Sequence, residues 1–426
     1  MEHRIPDSDS APILVRKYGG SSLADVERIR VVARDLVASR REGHRLVVVV
    51  SAMGSTTNEL EAMARQASSH PSRRELDMLL SVGERITMSL LCMILEQEGC
   101  PAISFTGSQV GIITDTSHTD ARILRVTAQR VREALARDRI VVVAGFQGVS
   151  EEKEITTLGR GGSDTTAVAL AAALGAERCE ILKDVDGILS ADPKAVPEAW
   201  LHRELSYAEL RDIAATGCGV VHIRAVEYAE EHGVPLQVRS SFHGKPGTSV
   251  GPDGRLPVSS SPGAVGSDRQ NRYRPLTMTI ARDVTRLNLS TTVAATARRW
   301  REEILCRVDP CGVLAEWLDH GQRSMRWETL APRPVLQDLL DLLVENGTPD
   351  LAILREDGLT CYSFAGGRPD SWLEVQKHLE GVMQDAGCRT WRLRVDGSAL
   401  RILVEQADAP AVEDLGSCLH QALLQP

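Results

Sequence analysis

The sequence lacks the patterns that mark several large classes of protein. Its nine cysteines include no CxxC pair, the closest two being Cys306 and Cys311, which argues against zinc sites and a disulfide framework. No Lys/Arg-rich run accompanies the net charge of −9, and the longest apolar run, around Ala167 to Leu174, is far too short for a bilayer span. The first twelve residues are polar and do not resemble a secretory signal. We therefore expect a cytoplasmic protein with no nucleic-acid partner, no membrane partner and no resident metal ligands.

Two common nucleotide-binding loops are also missing. Neither GxxxxGK followed by Ser or Thr nor GxGxxG occurs, which excludes a Walker A loop and a dinucleotide-binding turn. The composition, 42% hydrophobic and 25% charged, is that of a soluble globular protein. At 426 residues the chain is too long for one ordinary core, so two or three domains are expected.

The first 250 residues alternate short apolar runs with segments of helical periodicity, which is typical of a parallel α/β sheet. Five runs are predicted as buried strands: Ile13 to Arg16, Leu46 to Val50, Val141 to Ala144, Cys179 to Leu182 and Pro235 to Val238. Helices are predicted between them, including Ala24 to Ser39, Met78 to Glu96, Thr127 to Arg137, Asp164 to Leu174 and Tyr207 to Thr216. Each strand leads into Gly, Ser or Asp residues, and such loops gather at the carboxyl edge of a parallel sheet, where ligands bind.

The amino-acid composition of the sequence changes after about residue 245. Residues 244–268 are rich in Gly, Pro and Ser, and five of the six tryptophans follow them. We predict a disordered leader over 1–12, a first domain over 13–250, a linker over 251–268 and a smaller α+β region over 269–426. The predicted elements of that last region are strands at Leu276 to Ile280 and Ala399 to Val404, and helices at Val313 to Leu318, Val335 to Asn346, Trp372 to Gln384 and Ala411 to Leu424.

The densest group of candidate functional residues is Thr157 to Thr166, TLGRGGSDTT, which leads into an Ala/Leu-rich helix. Its glycines let the backbone approach a ligand, and Ser163 or Asp164 can cap the helix. The N–H groups and the positive end of that helix favour a phosphate or a carboxylate, and Arg160 can bind a carboxylate with two hydrogen bonds. The alternative is an ordinary capped helix after a glycine turn.

Three further features point to the same chemistry. Lys17 to Ser22, KYGGSS, places a lysine and two glycines after the first strand, where the lysine can neutralise a transferring phosphoryl group. Asp184 to Gly187, DVDG, follows another strand as a metal- or ribose-binding loop would. Glu84 can meet an ammonium group. A solvated surface lysine, a plain turn and a helix-surface glutamate are the respective alternatives.

Eight blocks of the first 250 residues together resemble an aspartokinase, most closely the bacterial type of the lysine and threonine pathway. They are KYGGSSL at 17, VVVVSAMGSTTNEL at 47, MLLSVGERI at 78, SFTGSQVGI at 104, AGFQGV at 144, TTLGRGGSDTTAVALAAALGA at 156, DVDG at 184 and RAVEYAEEHGVPLQVRSSF at 224. The resemblance implies the amino-acid-kinase fold, an α/β fold with a mostly parallel sheet sandwiched by helices. It further implies that 13–250 is the catalytic domain and that a smaller ACT-like α+β regulatory region follows.

The resemblance also implies an activity and a set of site residues. The γ-phosphoryl group of Mg·ATP would pass to the side-chain carboxylate of L-aspartate, giving 4-phospho-L-aspartate, in a homodimer or larger oligomer. Lys17 and Asp164 would be catalytic. The nucleotide would be bound by Lys17, Gly19, Gly20, Ser21, Lys183, Asp184, Leu189 and Lys194. Aspartate would be bound by Ser51, Thr57, Glu84, Arg160, Gly161, Gly162 and Ser163, with Arg160 on the α-carboxylate and Glu84 on the ammonium group.

The nucleotide side departs from the family pattern. Lys183 stands in place of a small hydroxyl residue, Leu189 in place of a tyrosine and Lys194 in place of an arginine, while Gly219 stands where a lysine is frequent. The two ACT repeats are not separately recognisable after residue 268. These departures favour a role in a specialised biosynthetic pathway. Two alternatives stay open: a kinase of the same fold for another amino acid or phosphoryl donor, and a non-catalytic regulatory subunit that has lost its nucleotide site.

Overall fold

The structure is a computed structural model of the chain. It describes residues 11–68, 70–252, 276–291, 293, 296, 313–319, 324–332, 336, 351–366, 372–388, 390–396, 399–405 and 412–424. Within these ranges the chain forms two compact units. The first unit consists of Met1–Ile188, Leu201–Leu210 and Val220–Ser259, and the second of Leu189–Trp200, Arg211–Gly219 and Ser260–Pro426. Most of the predicted leader and most of the predicted linker lie outside the described residues, and the domain boundaries stay predictions.

The first unit contains two sheets. Its strands are β1 (Ile13–Tyr18), β2 (Arg45–Val50), β3 (Ala102–Phe105), β4 (Ile112–Thr114), β5 (Ile123–Val126), β6 (Ile140–Ala144), β7 (Gln147–Ser150), β8 (Ile155–Thr157), β9 (Arg178–Lys183), β10 (Glu204–Ser206), β11 (Leu236–Ser240) and β12 (Thr248–Gly251). The larger sheet has the order β10-β12-β11-β9-β1-β2-β6-β3 and the smaller one β5-β4-β7-β8. In the larger sheet every pair is parallel except β11 with β12.

The five strands predicted from sequence are confirmed and lie side by side, in the order β11-β9-β1-β2-β6. Most of their residues are buried, because a parallel sheet covered on both faces requires near-continuous apolar runs such as that of β2. The smaller sheet was not predicted: its strands have only three or four residues, too few for an alternating pattern to be recognised.

The helices before residue 233 connect these strands. They are α1 (Val26–Arg41), α2 (Thr56–Ala67), α3 (Arg73–Leu80), α4 (Val82–Gln97), α5 (Gly107–Val110), α6 (Gln129–Ala136), α7 (Gly162–Leu174), α8 (Tyr207–Ala215) and α9 (Ile223–His232). Apolar side chains of α1 and α4, among them Leu36 and Leu91, pack with Leu46 and Val142 of the large sheet to form the core on that face. Helix α7 is buried along nearly its whole length, which fits its small and apolar composition.

The segment Arg73–Gln97 is long and apolar enough, by length and composition alone, to cross a membrane. It is not one continuous helix, because α3 ends at Leu80 and α4 begins at Val82. More than half of its most apolar window is buried inside the protein. Core helices of soluble proteins also have this length and apolar composition, so the segment is only weak evidence for a membrane span.

The second unit is an antiparallel α+β structure. Its strands are β13 (Thr277–Thr291), β14 (Val313–Asp319), β15 (Ser324–Pro332), β16 (Leu351–Ala365), β17 (Trp391–Asp396) and β18 (Ala399–Glu405), in the order β14-β15-β13-β16-β18-β17. Its described helices include α10 (Trp372–Asp385) and α11 (Val412–Leu423). Tyr362 and Ile402 of the sheet pack in one core with Leu379 of α10 and Leu415 of α11. The predicted α+β class of this region is confirmed.

The helix predicted over Val313 to Leu318 is wrong, because this segment is strand β14. It pairs antiparallel with β15 along its whole length, from Val313 opposite Leu330 to Asp319 opposite Ser324. Seven residues are too few for a helix stable by itself, and pairing with a neighbouring strand overrides the local preference. The predicted helix Val335 to Asn346 lies outside the described residues except for Leu336, which is helical.

The segment Leu189–Trp200 belongs to the second unit although the residues on either side of it belong to the first. The N–H of Met278 donates to the carbonyl of Ser190 at 2.8 Å. The hydroxyl of Ser190 accepts from the N–H of Trp200 at 3.0 Å and lies 2.9 Å from Nε2 of His420. Val196 is part of the core of the second unit. No local pattern predicts this assignment, because it depends on contacts with residues far along the chain.

Candidate functional site

A buried ion pair lies at the carboxyl edge of the large sheet. Nζ of Lys17, near the end of β1, is 2.6 Å from Oδ1 of Asp164 in the first turn of α7. Lys17 is 5% exposed and Asp164 only 1%. Burial by itself would raise the pKa of Asp164, but the lysine charges outweigh it and hold that pKa well below its usual range. Burial lowers the pKa of Lys17, and the Asp164 carboxylate opposes this effect.

A second lysine shares the same carboxylate. Nζ of Lys183, the last residue of β9, is 3.2 Å from Oδ2 of Asp164. Strands β1 and β9 are parallel neighbours, with Tyr18 opposite Leu182, so both lysines arrive at the same sheet edge. Two ammonium groups around one carboxylate leave a net positive charge in a mostly buried place. Such a place suits an anion with several oxygens, such as a phosphate.

The glycines after β1 bring the backbone close to this pair. The N–H of Gly19 donates to the carbonyl of Leu182 at 3.1 Å, and a Cβ on Gly19 would lie 3.9 Å from Nζ of Lys17. A Cβ on Gly20 would lie only 2.9 Å from the carbonyl oxygen of Ala52, so this position has no room for a side chain. Ser21 follows within a short 3-10 turn, Gly20–Leu23. These residues follow β1 at the carboxyl edge of the large sheet, and their contact with a nucleotide stays a prediction.

Glu84 is a buried carboxyl in the first turn of α4. It is 3% exposed, and its Oε1 accepts a hydrogen bond from the N–H of Ala52 at 3.2 Å. Among the described residues its Oε2 has no hydrogen-bonding partner. Burial raises the pKa of Glu84 to about 7, with the N–H of Ala52 and the Lys17 charge acting against that rise. A buried carboxylate oxygen without a partner is costly in a folded protein, which indicates a place for a cationic group.

Arg160 lies in a turn made by glycines on either side. Gly159 and Gly161 have φ values of 72° and 69°, in the left-handed region that glycine adopts without strain. A Cβ on Gly161 would lie 2.2 Å from the Cβ of His222, so the turn also has no space for a side chain there. Helix α7 begins immediately afterwards at Gly162, and Arg160 is exposed. The turn thus presents a guanidinium beside a helix N-terminus, an arrangement that favours a carboxylate or phosphate.

The other predicted substrate-side residues occupy the same edge of the first unit. Ser51 follows β2 and its N–H donates to the carbonyl of Tyr18 at 3.2 Å. Thr57 is in the first turn of α2 and is half-buried. Gly162 and Ser163 are buried in the first turn of α7, where Ser163 closely contacts Gly145: a Cβ on that glycine would lie 2.8 Å from the Ser163 hydroxyl.

For the remaining nucleotide-side predictions the structure shows only the local surroundings. Asp184 is an exposed residue of the first unit, just after β9. Leu189 and Lys194 belong to the second unit, where the N–H of Lys194 donates to Oδ1 of Asp192 at 2.9 Å in a local turn. Gly219, where the family often has a lysine, also belongs to the second unit.

A buried network of charged side chains on strands β1, β9 and β11 was not predicted from the sequence. Nε of Arg16 on β1 donates to Glu180 on β9 at 2.9 Å, and Arg239 of β11 donates to the same carboxylate at 2.8 Å. Arg16 also reaches Asp35 of α1, which accepts from the hydroxyl of Tyr18. The signal was present in the sequence as charged residues inside apolar strand runs, but it does not say which of them meet.

No group of three or more His, Cys, Asp or Glu side chains that could hold a metal ion occurs in the described part of the chain. Both oxygens of Asp164 face lysines, and Asp184 is exposed. These residues do not form a magnesium cage of their own. Magnesium is commonly bound through substrate phosphates with only one or two carboxylates, so a resident ion is not needed for the ion to take part.

Comparison with known proteins agrees with this geometry. Residues 12–240 match the amino acid kinase family. The chain belongs to the amino acid kinase family. Within it, residues of this chain are 55% identical over 239 positions to the aspartokinase of Mycolicibacterium smegmatis, a match covering 56% of this chain and 57% of that protein. The match thus spans little more than half of the length of that relative.

Two solved structures extend the likeness over nearly the whole chain. The aspartate kinase from Synechocystis is 33% identical, with a TM-score of 0.53, and the match covers 97% of this chain and 70% of that one. Aspartokinase III of E. coli, solved in complex with aspartate and ADP, has a TM-score of 0.71 over 97% of this chain and all of that chain. Its identity of 24% supports a shared fold. The predicted resemblance to aspartokinases is confirmed.

Proposed function

We propose that this protein is an aspartate kinase, which transfers the γ-phosphoryl group of Mg·ATP to the side-chain carboxylate of L-aspartate. The observation that carries this proposal is the buried group of Lys17, Lys183 and Asp164, which has a net positive charge at the carboxyl edge of the sheet. The aspartokinase relatives, one of them solved with aspartate and ADP, support the choice of substrates.

On the nucleotide side, Lys17 and Lys183 neutralise the phosphate oxygens, and Gly19, Gly20 and Ser21 allow close approach of the backbone. Asp164 holds the two ammonium groups in place. The assignment of Asp184, Leu189 and Lys194 to the nucleotide rests on the resemblance to aspartokinases alone. Magnesium enters bound to the ATP phosphates as part of the substrate.

On the amino-acid side, the charges of the site complement those of an α-amino acid. Glu84 accepts the ammonium group through its unpartnered oxygen, and Arg160 binds the α-carboxylate. The remaining contacts come from residues of the loops around them, namely Ser51, Thr57, Gly161, Gly162 and Ser163. The side-chain carboxylate of aspartate is then left to face the phosphoryl group.

The reaction needs positioning and charge neutralisation more than covalent help. One oxygen of the side-chain carboxylate forms a bond to the γ-phosphorus as the bond from that phosphorus to the β,γ-bridging oxygen breaks. The products are 4-phospho-L-aspartate and ADP, and no proton is transferred in this step. Lys17 stabilises the charge that spreads over the phosphoryl oxygens.

A hydroxamate assay tests the proposal. Wild-type protein with Mg·ATP, L-aspartate and hydroxylamine is expected to yield aspartyl hydroxamate. Lys17→Ala is expected to lower the rate about 100-fold or more, since it removes a charge aimed at the transferring group. Lys153→Ala, which changes an exposed lysine in the turn between β7 and β8, serves as the matched control and is expected to retain the rate.

Absence of aspartyl hydroxamate from the wild type would overturn the assignment of substrates. Signal with another amino acid or another donor would then identify a kinase of the same fold with different specificity. If no amino acid and no donor yields a hydroxamate, and calorimetry shows no binding of Mg·ATP, the protein is a non-catalytic regulatory subunit. For the active enzyme we further propose a cytoplasmic location, a homodimer or larger oligomer and a role in a specialised biosynthetic pathway.

A further inference from the structure

A buried carboxylate outside the groups described so far joins three segments of the first unit. Asp77 lies on α3 and has no exposed surface. Its Oδ1 accepts from the hydroxyl of Thr157 at 2.5 Å, and its Oδ2 lies 2.7 Å from Nδ1 of His118. The N–H of Thr119 lies 3.1 Å from each of the two oxygens. Both oxygens of this carboxylate are therefore used to hold neighbouring segments.

Two of these segments lead directly to the residues proposed to bind the amino acid. Thr157 ends β8, and Arg160 follows three residues later. The carbonyl of Asp77 accepts from the N–H of Ser81, the joint between α3 and α4, and Glu84 lies in the next turn. The bond between Asp77 and Thr157 thus ties the start of the Arg160 turn to the helix joint that carries Glu84.

The third segment holds the same turn from another side. Arg224 pairs with Asp120 at 2.7 Å and donates to the carbonyl of Leu158 at 3.4 Å. Thr119, next to Asp120, has a φ of 70°, which is unfavourable for a residue with a branched side chain. Its N–H is the group that donates to Asp77, so the carboxylate helps to keep this segment in its strained conformation.

We propose that Asp77 is a positioning residue for the amino-acid substrate, which sets the separation between Glu84 and Arg160. This inference rests on the proposed function. The two opposite charges stand on different elements, so their spacing depends on what joins those elements, and small displacements of bound reactants are costly. Lys17 and Lys183 stand on β1 and β9, and their partner Asp164 is fixed in the buried helix α7, so a change at Asp77 is expected to act mainly on the amino-acid side.

The test compares Thr157→Val, which removes the hydroxyl, with Thr157→Ser, which keeps it. Thr157→Val is expected to raise the KM for L-aspartate about fivefold or more while the KM for ATP stays within about twofold, and Thr157→Ser is expected to restore the wild-type value. Asp77→Asn, which keeps the shape of the side chain, provides a second variant if Thr157→Val does not fold. Tyr207→Phe is the control, because it removes a buried hydroxyl that donates to the carbonyl of Val234, away from these segments.

The outcomes separate the two proposals. If the wild type forms aspartyl phosphate and Thr157→Val or Asp77→Asn lowers only the thermal midpoint, or raises both KM values together, then Asp77 has a purely structural role and the inference is overturned. If the wild type neither binds nor phosphorylates L-aspartate, the proposed function is wrong, and the inference that rests on it is wrong as well. A selective rise in the KM for L-aspartate, absent from Tyr207→Phe, supports both.

Discussion

Nζ of Lys183 lies 3.2 Å from the carboxylate of Asp164, on the oxygen that Lys17 does not occupy. The resemblance to aspartokinases implies a small hydroxyl residue at position 183, so the second cation departs from the expected pattern. It stands at the end of β9, in a protein that has glycine at position 219, where the family often supplies a lysine. The structure places this second positive charge beside Asp164, at the end of β9.

Replacement of Lys183 is expected to weaken nucleotide binding. Lys183→Ser removes one charge-assisted contact, worth about 1.5–3 kcal/mol, which corresponds to a rise in the KM for ATP of about tenfold or more. Asp164 stays paired with Lys17, so the KM for L-aspartate is expected to change little. Steady-state kinetics with each substrate varied in turn provide the measurement, with Lys153→Ser as the exposed control. An unchanged KM for ATP in Lys183→Ser would show that the second lysine does not contact the nucleotide.

Aspartate binding is expected to depend on pH through Glu84. Its pKa is raised to about 7, so below that pH the protonated carboxyl cannot pair with the ammonium group of the substrate. The value of kcat/KM for L-aspartate should therefore fall about tenfold per pH unit below pH 7. Glu84→Gln should lower kcat/KM and flatten this dependence, whereas Glu96→Gln, on an exposed position of the same helix, should keep the wild-type profile. A wild-type profile that is flat between pH 5.5 and 8 would contradict this role.

The same carboxyl gives an opposite expectation for stability. The pKa of this carboxyl is 4.5 in the unfolded chain and about 7 in the folded protein, so the folded state binds its proton more tightly. The resulting contribution to the free energy of unfolding is fully present below pH 4.5 and is lost as the pH rises through about 7. Glu84→Gln is therefore expected to stabilise the protein at pH 8 by up to about 3 kcal/mol and to have little effect at pH 4.5. Urea unfolding of the ligand-free protein at both pH values checks this, and equal effects at both would count against it.

The glycine turn around Arg160 can be tested with two alanine substitutions. Gly161→Ala places a Cβ 2.2 Å from the Cβ of His222, at a φ of 69°, and is expected to abolish most activity through displacement of Arg160. Gly175→Ala has a similar φ of 62° at the other end of α7, but within the described structure no heavy atom lies within 4 Å of its Cβ. It should cost only about 1 kcal/mol of backbone strain. Equal losses of activity in both variants would mean that strain, and not the clash with His222, is responsible.

The buried Glu180 is expected to contribute strongly to stability. Burial alone would raise its pKa, but Arg16, Arg239 and Arg178 lower it to about 2. Its contribution is therefore present above the unfolded value of 4.5 and is lost as the pH falls toward 2. Glu180→Gln is expected to cost about 3–5 kcal/mol at pH 7, because it leaves buried arginines without their charge partner. Urea unfolding should show this difference shrinking between pH 4.5 and 2, and a constant difference would refute the electrostatic origin.

The central strands and their loops could be predicted from sequence because each carries its own signal. A run such as Leu46 to Val50 is buried on both faces, and residues such as Gly19 and Gly20 follow directly after the end of a strand. The pairing of Lys17 with Asp164 was expected only from the resemblance to aspartokinases, because Asp164 lies on α7, which follows β8 of the smaller sheet.

Other features depend on partners that no local pattern identifies. Val313 to Leu318 forms a strand because β15 pairs with it, and Asp77 meets Thr157 across 80 positions of sequence. Likewise Arg16 and Glu180 are charged residues in apolar strands whose pairing depends on the order of strands in the sheet. Such relationships appear only once the chain is folded.

Because Leu189–Trp200 belongs to the second unit, the two units cannot be separated by a single cut in the sequence. A shortened protein ending near residue 250 would retain Ser190 and Val196 but lose Met278, Leu415 and the rest of the core in which they pack. A chimera that joins residues 1–250 to the tail of a relative would pair this segment with an unmatched surface. Recombination between members of the family therefore has to exchange residues 189–200 together with the C-terminal region, although the two are separated in the sequence.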